Sequence, residues 1–222
     1  MKCWAKNVSD CCSTQSREHY ITKGLFSDKD LYLYNAPFLG GQSKKISKAS
    51  MTRKCLCKRH NELLSIYDDE AIKFSNALVY CKELSWKRRK SNAKRFSVHK
   101  KEIDRDRFCR WFLKTYLGLS EFFEYPSEIN EDILANFVYS KTKITDHIHF
   151  QVNMTSNEEF DIVEKVSVAP IQDDDKTIGM QIELYGLRIS GRFSENPLEK
   201  QKPLKIRFNE YKQGLSCMIR VK

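Results

Sequence analysis

No stretch of this 222-residue chain approaches the run of about 18 apolar residues that a membrane-spanning helix needs. The opening segment, Met1-Lys2-Cys3-Trp4-Ala5-Lys6, is broken by charge and cannot serve as the apolar core of a secretory leader. A membrane protein and a secreted precursor are therefore not expected, and a cytoplasmic location is. Internal repeats and low-complexity tracts are also missing. With 41% apolar and 31% charged residues, the composition is that of a globular chain, long enough for one large or two small domains with their own cores.

What is present is positive charge, unevenly spread. Lys and Arg number 39 against 29 Asp and Glu, a formal charge of +10. Residues 1–120 hold 26 of the basic groups and 12 acids, whereas residues 121–222 hold 13 and 17. The first half therefore suits a polyanion, and the acidic second half suits packing, regulation or a protein partner.

Cysteine is skewed the same way. Six of eight (Cys3, Cys11, Cys12, Cys55, Cys57 and Cys81) fall in the first 81 residues. In a reducing compartment, clustered thiols point to a metal rather than to disulfides. Cys109 and Cys217 read as small core hydrophobes on a helix and a strand.

The fold class expected is α+β, in three segments. Residues 1–66 are irregular and need a metal staple, with a short strand at His19-Tyr20-Ile21 and a strand running into a helix between Lys54 and Ser65. Residues 67–120 read as helical and basic. Phe74, Leu78 and Cys81 repeat at helical spacing, and the run Lys87, Arg88, Arg89, Lys90, Lys94, Arg95 then interrupts the pattern. A second helix starts near Asp104, carries Phe108, Trp111, Phe112 and Thr115, and ends around Gly118. From Glu121 to 222 the period is two, as in Ile148-His149-Phe150-Gln151-Val152, which predicts an antiparallel β domain.

Two short motifs carry the chemistry. Cys57-Lys58-Arg59-His60 has the C-x-x-H spacing of a zinc knuckle, and Cys3 with either Cys11 or Cys12, not both, completes a tetrahedral set. Ser16-Arg17-Glu18-His19 places an acid beside an imidazole. Adjacent residues of a strand point to opposite faces, so Glu18 can face a hard cation while His19 addresses a water. Glu18 and the amide oxygen of Asn61 are oxygen donors of the kind Mg²⁺ takes.

These residues together resemble the HNH, or ββα-metal, nucleases, most closely the phage endonuclease VII variety and bacterial proteins identified as HNH endonucleases. The resemblance rests on Ser16-Arg17-Glu18-His19 followed by Leu56-Cys57-x-x-His60-Asn61-x-x-Leu64-Ser65-x-x-Asp68, with a weaker echo at Phe108-x-x-Trp111-x-x-Lys114-Thr115. It covers about the first third of the chain. It implies a small N-terminal nuclease module, a structural Zn²⁺ held by Cys57, His60 and the upstream thiols, and a catalytic Mg²⁺ or Mn²⁺ on Glu18 and Asn61. His19 is then the general base of a DNA endonuclease, with RNA as the other substrate and a bacterial or phage defence role. The sequence departs from the family's pattern in lacking a C-x-x-C first knuckle, in Thr22 standing where a Pro is usual, and in the long connection from His19 to Asn61. A catalytically silent, zinc-stabilised nucleic-acid-binding protein is the alternative.

Arg17, Lys58, Arg59 and the Lys87–Arg95 run are the candidate phosphate contacts, with Trp86 and Phe96 available to stack on bases. His147-Ile148-His149 reads as a solvated polar strand face rather than a metal site, and Asp173-Asp174-Asp175 as a turn between strands.

Overall fold

The computed structural model describes residues 3–34, 39–90, 99–123, 127–140, 143–154, 166–174, 176–198, 204–209 and 215–221. The first strand, β1 (Gln15–His19), stops at His19 instead of continuing through Tyr20 and Ile21, because the chain turns there into a short 3-10 segment at Lys23–Leu25. A hairpin of β2 (Asp30–Leu33) and β3 (Lys44–Ser47) follows. Strand β4 (Thr52–Cys57) then returns antiparallel to β1, setting His19 opposite Thr52 and Gln15 opposite Cys57, with a bulge between Ser16 and Glu18. The long connection seen in the sequence is thus a hairpin rooted on the His19–Thr52 rung.

Helix α1 (Lys58–Leu63) leaves β4 directly. The Cys57 Sγ accepts from the His60 N–H (3.5 Å), and Lys58 N–H donates to the Thr14 carbonyl (2.9 Å), which ties the helix start to the beginning of β1. Helix α2 (Ser65–Arg89) comes next, burying Ala71, Phe74, Leu78 and Cys81 at the expected spacing. The basic run does not end it at Cys81, since Lys and Arg are good helix formers and an exposed helix end needs no apolar face.

Strand β5 (His99–Ile103) leads into α3 (Arg105–Phe123), where the Asp104 carboxylate accepts from Arg107 N–H (3.0 Å) and caps the first turn. Every residue of α3 from Phe108 to Ser120 is buried, so it is the central element of the protein. It runs through Gly118 rather than ending there. A side chain at Gly118 would lie 3.2 Å from Tyr20 Cα, and the glycine is what lets α3 press against the segment following β1.

Residues 121–222 are not uniformly β. Helix α4 (Glu131–Tyr139), capped by Asn130 accepting from Asp132 N–H (2.8 Å), buries Leu134, Ala135 and Val138. The near-continuous apolar run Ile133–Tyr139 hides the helical period there. Strands β6 (Ile148–Met154), β7 (Val166–Asp173), β8 (Lys176–Leu184) and β9 (Leu187–Phe193) form an antiparallel sheet in the order β6-β9-β8-β7. Tyr185 (φ 51°) and Gly186 (φ 76°) make the tight β8–β9 turn, and Asp174 (φ 50°) helps turn β7 into β8, as expected for the acidic triplet; Asp175 lies outside the described residues.

The sheet lays Met180, Ile182, Leu187, Ile189 and Phe193 toward α3, with ring contacts from Phe193 to Phe112 and Tyr116. His149 is exposed on the outer face. His147 is not on a polar face: it precedes β6, is buried against Phe137, and its Nδ1 lies 3.1 Å from the Ser194 carbonyl.

The last pair, β10 (Leu204–Asn209) and β11 (Leu215–Val221), joins β5 in a three-stranded sheet. There β11 runs parallel to β5, so the C-terminal strands are not wholly antiparallel and one of them closes on the middle segment. Cys217 lies on β11 opposite His99; its side chain lies outside the described part. Cys109 is fully buried on α3, as expected.

The architecture is α+β, with one contiguous core running from Cys3 through α2 and α3 to Phe193. Among the described residues no helix is long and apolar enough to cross a membrane. Close packing gives a direct test. A methyl group at Gly191 would sit 2.5 Å from a Phe112 ring carbon and 2.9 Å from one of Phe150. Gly191→Ala is expected to lower the unfolding free energy by about 1–3 kcal/mol in a denaturant melt.

Candidate functional site

Four residues from three places in the sequence converge. Cys3, Cys11, Cys57 and His60 bring their ligand atoms within 4.8 Å of one another. The His60 Nδ1 lies 3.4 Å from Cys3 Sγ, 3.3 Å from Cys57 Sγ and 3.7 Å from Cys11 Sγ. β4 delivers Cys57 at its end and α1 delivers His60 one turn later. A turn in which Lys6 N–H bonds the Cys3 carbonyl, and Trp4 N–H bonds the Cys55 carbonyl (both 3.1 Å), holds Cys3 against them.

The donor set fits a metal ion such as zinc. The other ring nitrogen, His60 Nε2, is 2.8 Å from Ser9 Oγ, so with the proton on Nε2 the ring donates to Ser9 and leaves the Nδ1 lone pair facing the three sulfurs. Burial, followed by the Arg59 charge, lowers the His60 pKa, which favours the neutral imidazole that a metal takes. The thiols are unequal. Burial opposes ionisation of Cys57, but the His60 N–H and the Cys12 and Cys11 thiols outweigh it and lower that pKa. Burial, then Cys3 and Cys57, pushes Cys11 up to about 12. A cation is what allows several thiolates to coexist here.

Of the two alternatives at positions 11 and 12, the geometry takes Cys11. The Cys12 Sγ instead lies 3.6 Å from the Thr14 carbonyl and accepts from Arg59 N–H at 3.4 Å, outside the cluster. Ser9 carries no signal in the sequence, because a lone serine between spaced thiols has no readable pattern.

Glu18 and His19 sit at the end of β1 as expected, but Glu18 points inward. Its side chain is 9% exposed and pairs with the ammonium of Lys114 on α3, itself 1% exposed. Lys114 also binds Asp68 at the start of α2 (2.8 Å). Thr22 donates to the same Asp68 oxygen and accepts from Trp111 Nε1 (2.8 Å). One buried network thus clamps β1, the segment after it, α2 and α3 around a single cation. Burial raises the Glu18 pKa, and Lys114 opposes that rise. Burial also opposes the charge on Lys114, but Glu18 and Asp68 outweigh it and raise its pKa.

His19 is half-buried, and its Nε2 is enclosed without a hydrogen-bond partner. Burial lowers its pKa first, then the charges of Lys23 and Lys114. Both effects favour the unprotonated imidazole.

Asn61 is held on β1: its amide nitrogen donates to Ser16 Oγ (2.7 Å) and to the Arg17 carbonyl (3.1 Å). Glu18, the carboxylate expected to face Mg²⁺ or Mn²⁺, is thus paired with an ammonium, and Asn61 is bonded to β1 through its amide nitrogen while the expected ligand is its amide oxygen.

The expected phosphate contacts divide. Arg17, Lys58 and Arg59 are exposed around the metal cluster and β1, with Arg17 reaching Thr52 Oγ1 (3.3 Å) and Lys58 lying 3.8 Å from Glu62. Lys87 and Lys90 are exposed at the end of α2, with the Lys90 ammonium 3.8 Å above the Trp86 ring. Arg88 and Arg89 end the same helix, their side chains outside the described part; Lys94, Arg95 and Phe96 lie outside the described residues altogether.

Comparison with protein-family models, with curated proteins and with solved structures finds no match for this chain.

Proposed function

We propose that the chain is a nucleic-acid phosphodiester hydrolase of the HNH, or ββα-metal, kind, acting on DNA. Zn²⁺ at Cys3, Cys11, Cys57 and His60 holds the hairpin and helix, and His19 is the base. The observation that carries this reading is the placement of His19: a half-buried imidazole of lowered pKa at the end of a strand whose partner β4 runs into the metal cluster and α1. In the reaction, water attacks the phosphorus while giving a proton to His19, the P–O bond to the leaving oxygen breaks, and that oxygen takes a proton from solvent. Glu18, Asp68 and Lys114 fix the backbone beneath that imidazole. Arg17, Lys58 and Arg59 neutralise flanking phosphates. The divalent ion implied by the resemblance enters as an assay condition, with Mg²⁺, Mn²⁺ or chelator present.

Purified protein is expected to nick labelled duplex DNA or cut labelled single-stranded DNA. His19→Ala should lower the rate by about 10²–10⁴, the usual worth of a general base, at unchanged melting temperature and zinc content. The parent rate should fall as pH drops through a pKa below the free-histidine value of about 6.5, since the base works unprotonated and its pKa is lowered. Full activity in His19→Ala overturns the assignment.

The second reading, a silent nucleic-acid-binding protein, is favoured by one specific observation, the neutralisation of Glu18 by Lys114. It predicts salt-sensitive binding with no cleavage under any metal.

A further inference from the structure

The hairpin inserted between β1 and β4 belongs to none of the chemistry above. It turns one face inward, through Leu31 and Ile46, which pack on the core. The other face carries Tyr32 and Tyr34, 61% and 64% exposed. Their rings are 6.4 Å apart and within 28° of parallel. Large aromatic surface left in water at this level is unusual where an inward face is available two residues away, and here two rings are aligned side by side. The segment that carries them is basic. Residues 23–54 contain seven Lys and Arg against two Asp, and Lys23, Lys29, Lys44, Lys45 and Lys54 are all exposed. Lys45 stands opposite Tyr32 on β3 and pairs with Asp30 (3.0 Å).

We infer that the Tyr32–Tyr34 face is a stacking platform for the bases of single-stranded nucleic acid. Aromatic side chains set among cations are how proteins hold single strands without reading sequence: each base has a π-face to stack, and the lysines track the backbone. A duplex presents its bases already stacked and offers the tyrosines only its backbone. A protein partner would fit a tyrosine pair but gains little from the surrounding excess of lysine. The position also suits the site. The hairpin leaves and rejoins the module at the His19–Thr52 rung, so a strand laid on it is led to the end of β1 where His19 sits. Trp86 is a poorer candidate, because its ring face is already covered by Lys90.

This inference deepens the proposed function by naming the form of nucleic acid that the module grips, and it is tested by binding rather than by cleavage. The full chain carrying His19→Ala is titrated against a fluorescein-labelled oligothymidylate and against a labelled duplex of equal length, at fixed salt. Adding Tyr32→Ala and Tyr34→Ala together is expected to weaken single-strand binding about ten- to hundredfold, as stacking of one or two bases would. Tyr32→Phe with Tyr34→Phe should restore it to within about threefold, and duplex affinity should change less than single-strand affinity. Equal melting temperatures for all variants confirm that the exposed positions leave the fold intact. Single-strand affinity within twofold in the double alanine variant overturns the inference, as does equal loss on both oligonucleotides. Self-association that disappears on the alanine substitutions, seen by light scattering, overturns it in favour of a contact between two copies. A protein that cuts nothing yet shows the tyrosine-dependent affinity refutes only the hydrolase reading.

Discussion

Cys57→Ser is expected to strip the bound metal and to lower the melting temperature by about 10 °C or more, whereas Cys12→Ser should keep the metal and melt near the parent. Both cysteines lie beside the same helix, so the contrast rests entirely on geometry. Cys57 Sγ is 3.3 Å from the His60 nitrogen that faces the cluster, while Cys12 Sγ is turned to the Thr14 carbonyl and the Arg59 N–H. Structural zinc contributes its binding energy to folding, about 10–16 kcal/mol in isolated zinc-finger peptides. The penalty here is smaller, because Cys3, Trp4, Leu56 and Leu64 also belong to the common core and remain partly packed without the ion. A loss of about 4 kcal/mol corresponds to some 8–16 °C for a chain of this size. Metal uptake should release protons, since burial and the neighbouring thiols push the Cys11 thiol up to about 12, and affinity should therefore fall as pH falls. Elemental analysis after gel filtration, together with a thermal melt, reads both arms.

Lys114→Met should be the most destabilising single substitution outside the metal cluster. It removes the one cation that two acids share, leaving Glu18 enclosed and Asp68 close by. Breaking a buried ion pair from one side costs about 3–5 kcal/mol, far more than the pair itself contributes. The effect has a direction in pH. Burial already raises the Glu18 pKa, and without Lys114 only the His19 backbone N–H opposes that rise, so the folded variant holds its proton to higher pH than the unfolded chain does. A group whose folded pKa is raised contributes stability below its unfolded value, about 4.3, and loses it as pH climbs through the folded value. The variant should therefore lose progressively more stability from pH 5 to pH 8 in urea melts. Adding Glu18→Gln should recover much of the loss at pH 8 and little at pH 5. A pH-independent deficit, or no recovery, would show that Lys114 acts through packing alone.

The parts of this protein that were legible in the sequence are those whose signal is local. The α+β class, the knuckle at Cys57 and His60, the strand running into a helix around it, and the alternating strands after Ile148 each announce themselves within a few residues. Long-range pairing leaves no such trace. Lys114 meets Glu18 across 96 positions, and its motif showed only as an unassigned echo. Strand alternation says only that the neighbours Glu18 and His19 face opposite ways. Which of the two faces is the inside depends on α3, which lies far along the chain. The choice of Cys11 over Cys12 is likewise a matter of which thiol the turn after Cys3 leaves facing His60. α4 is hidden because apolar residues run almost unbroken from Ile133 to Tyr139 and mask its period, and β5 because its parallel partner is β11, over a hundred residues away.

The proposed hydrolase module presupposes that a metal draws the first residues, the end of β4 and the start of α1 together. X-ray absorption at the zinc edge of the purified chain tests this most directly. The account predicts one zinc per chain with three sulfurs at about 2.3 Å and one imidazole nitrogen at about 2.0–2.1 Å. A chain that retains no zinc, or one whose zinc has four sulfurs because Cys12 has replaced His60, would contradict it.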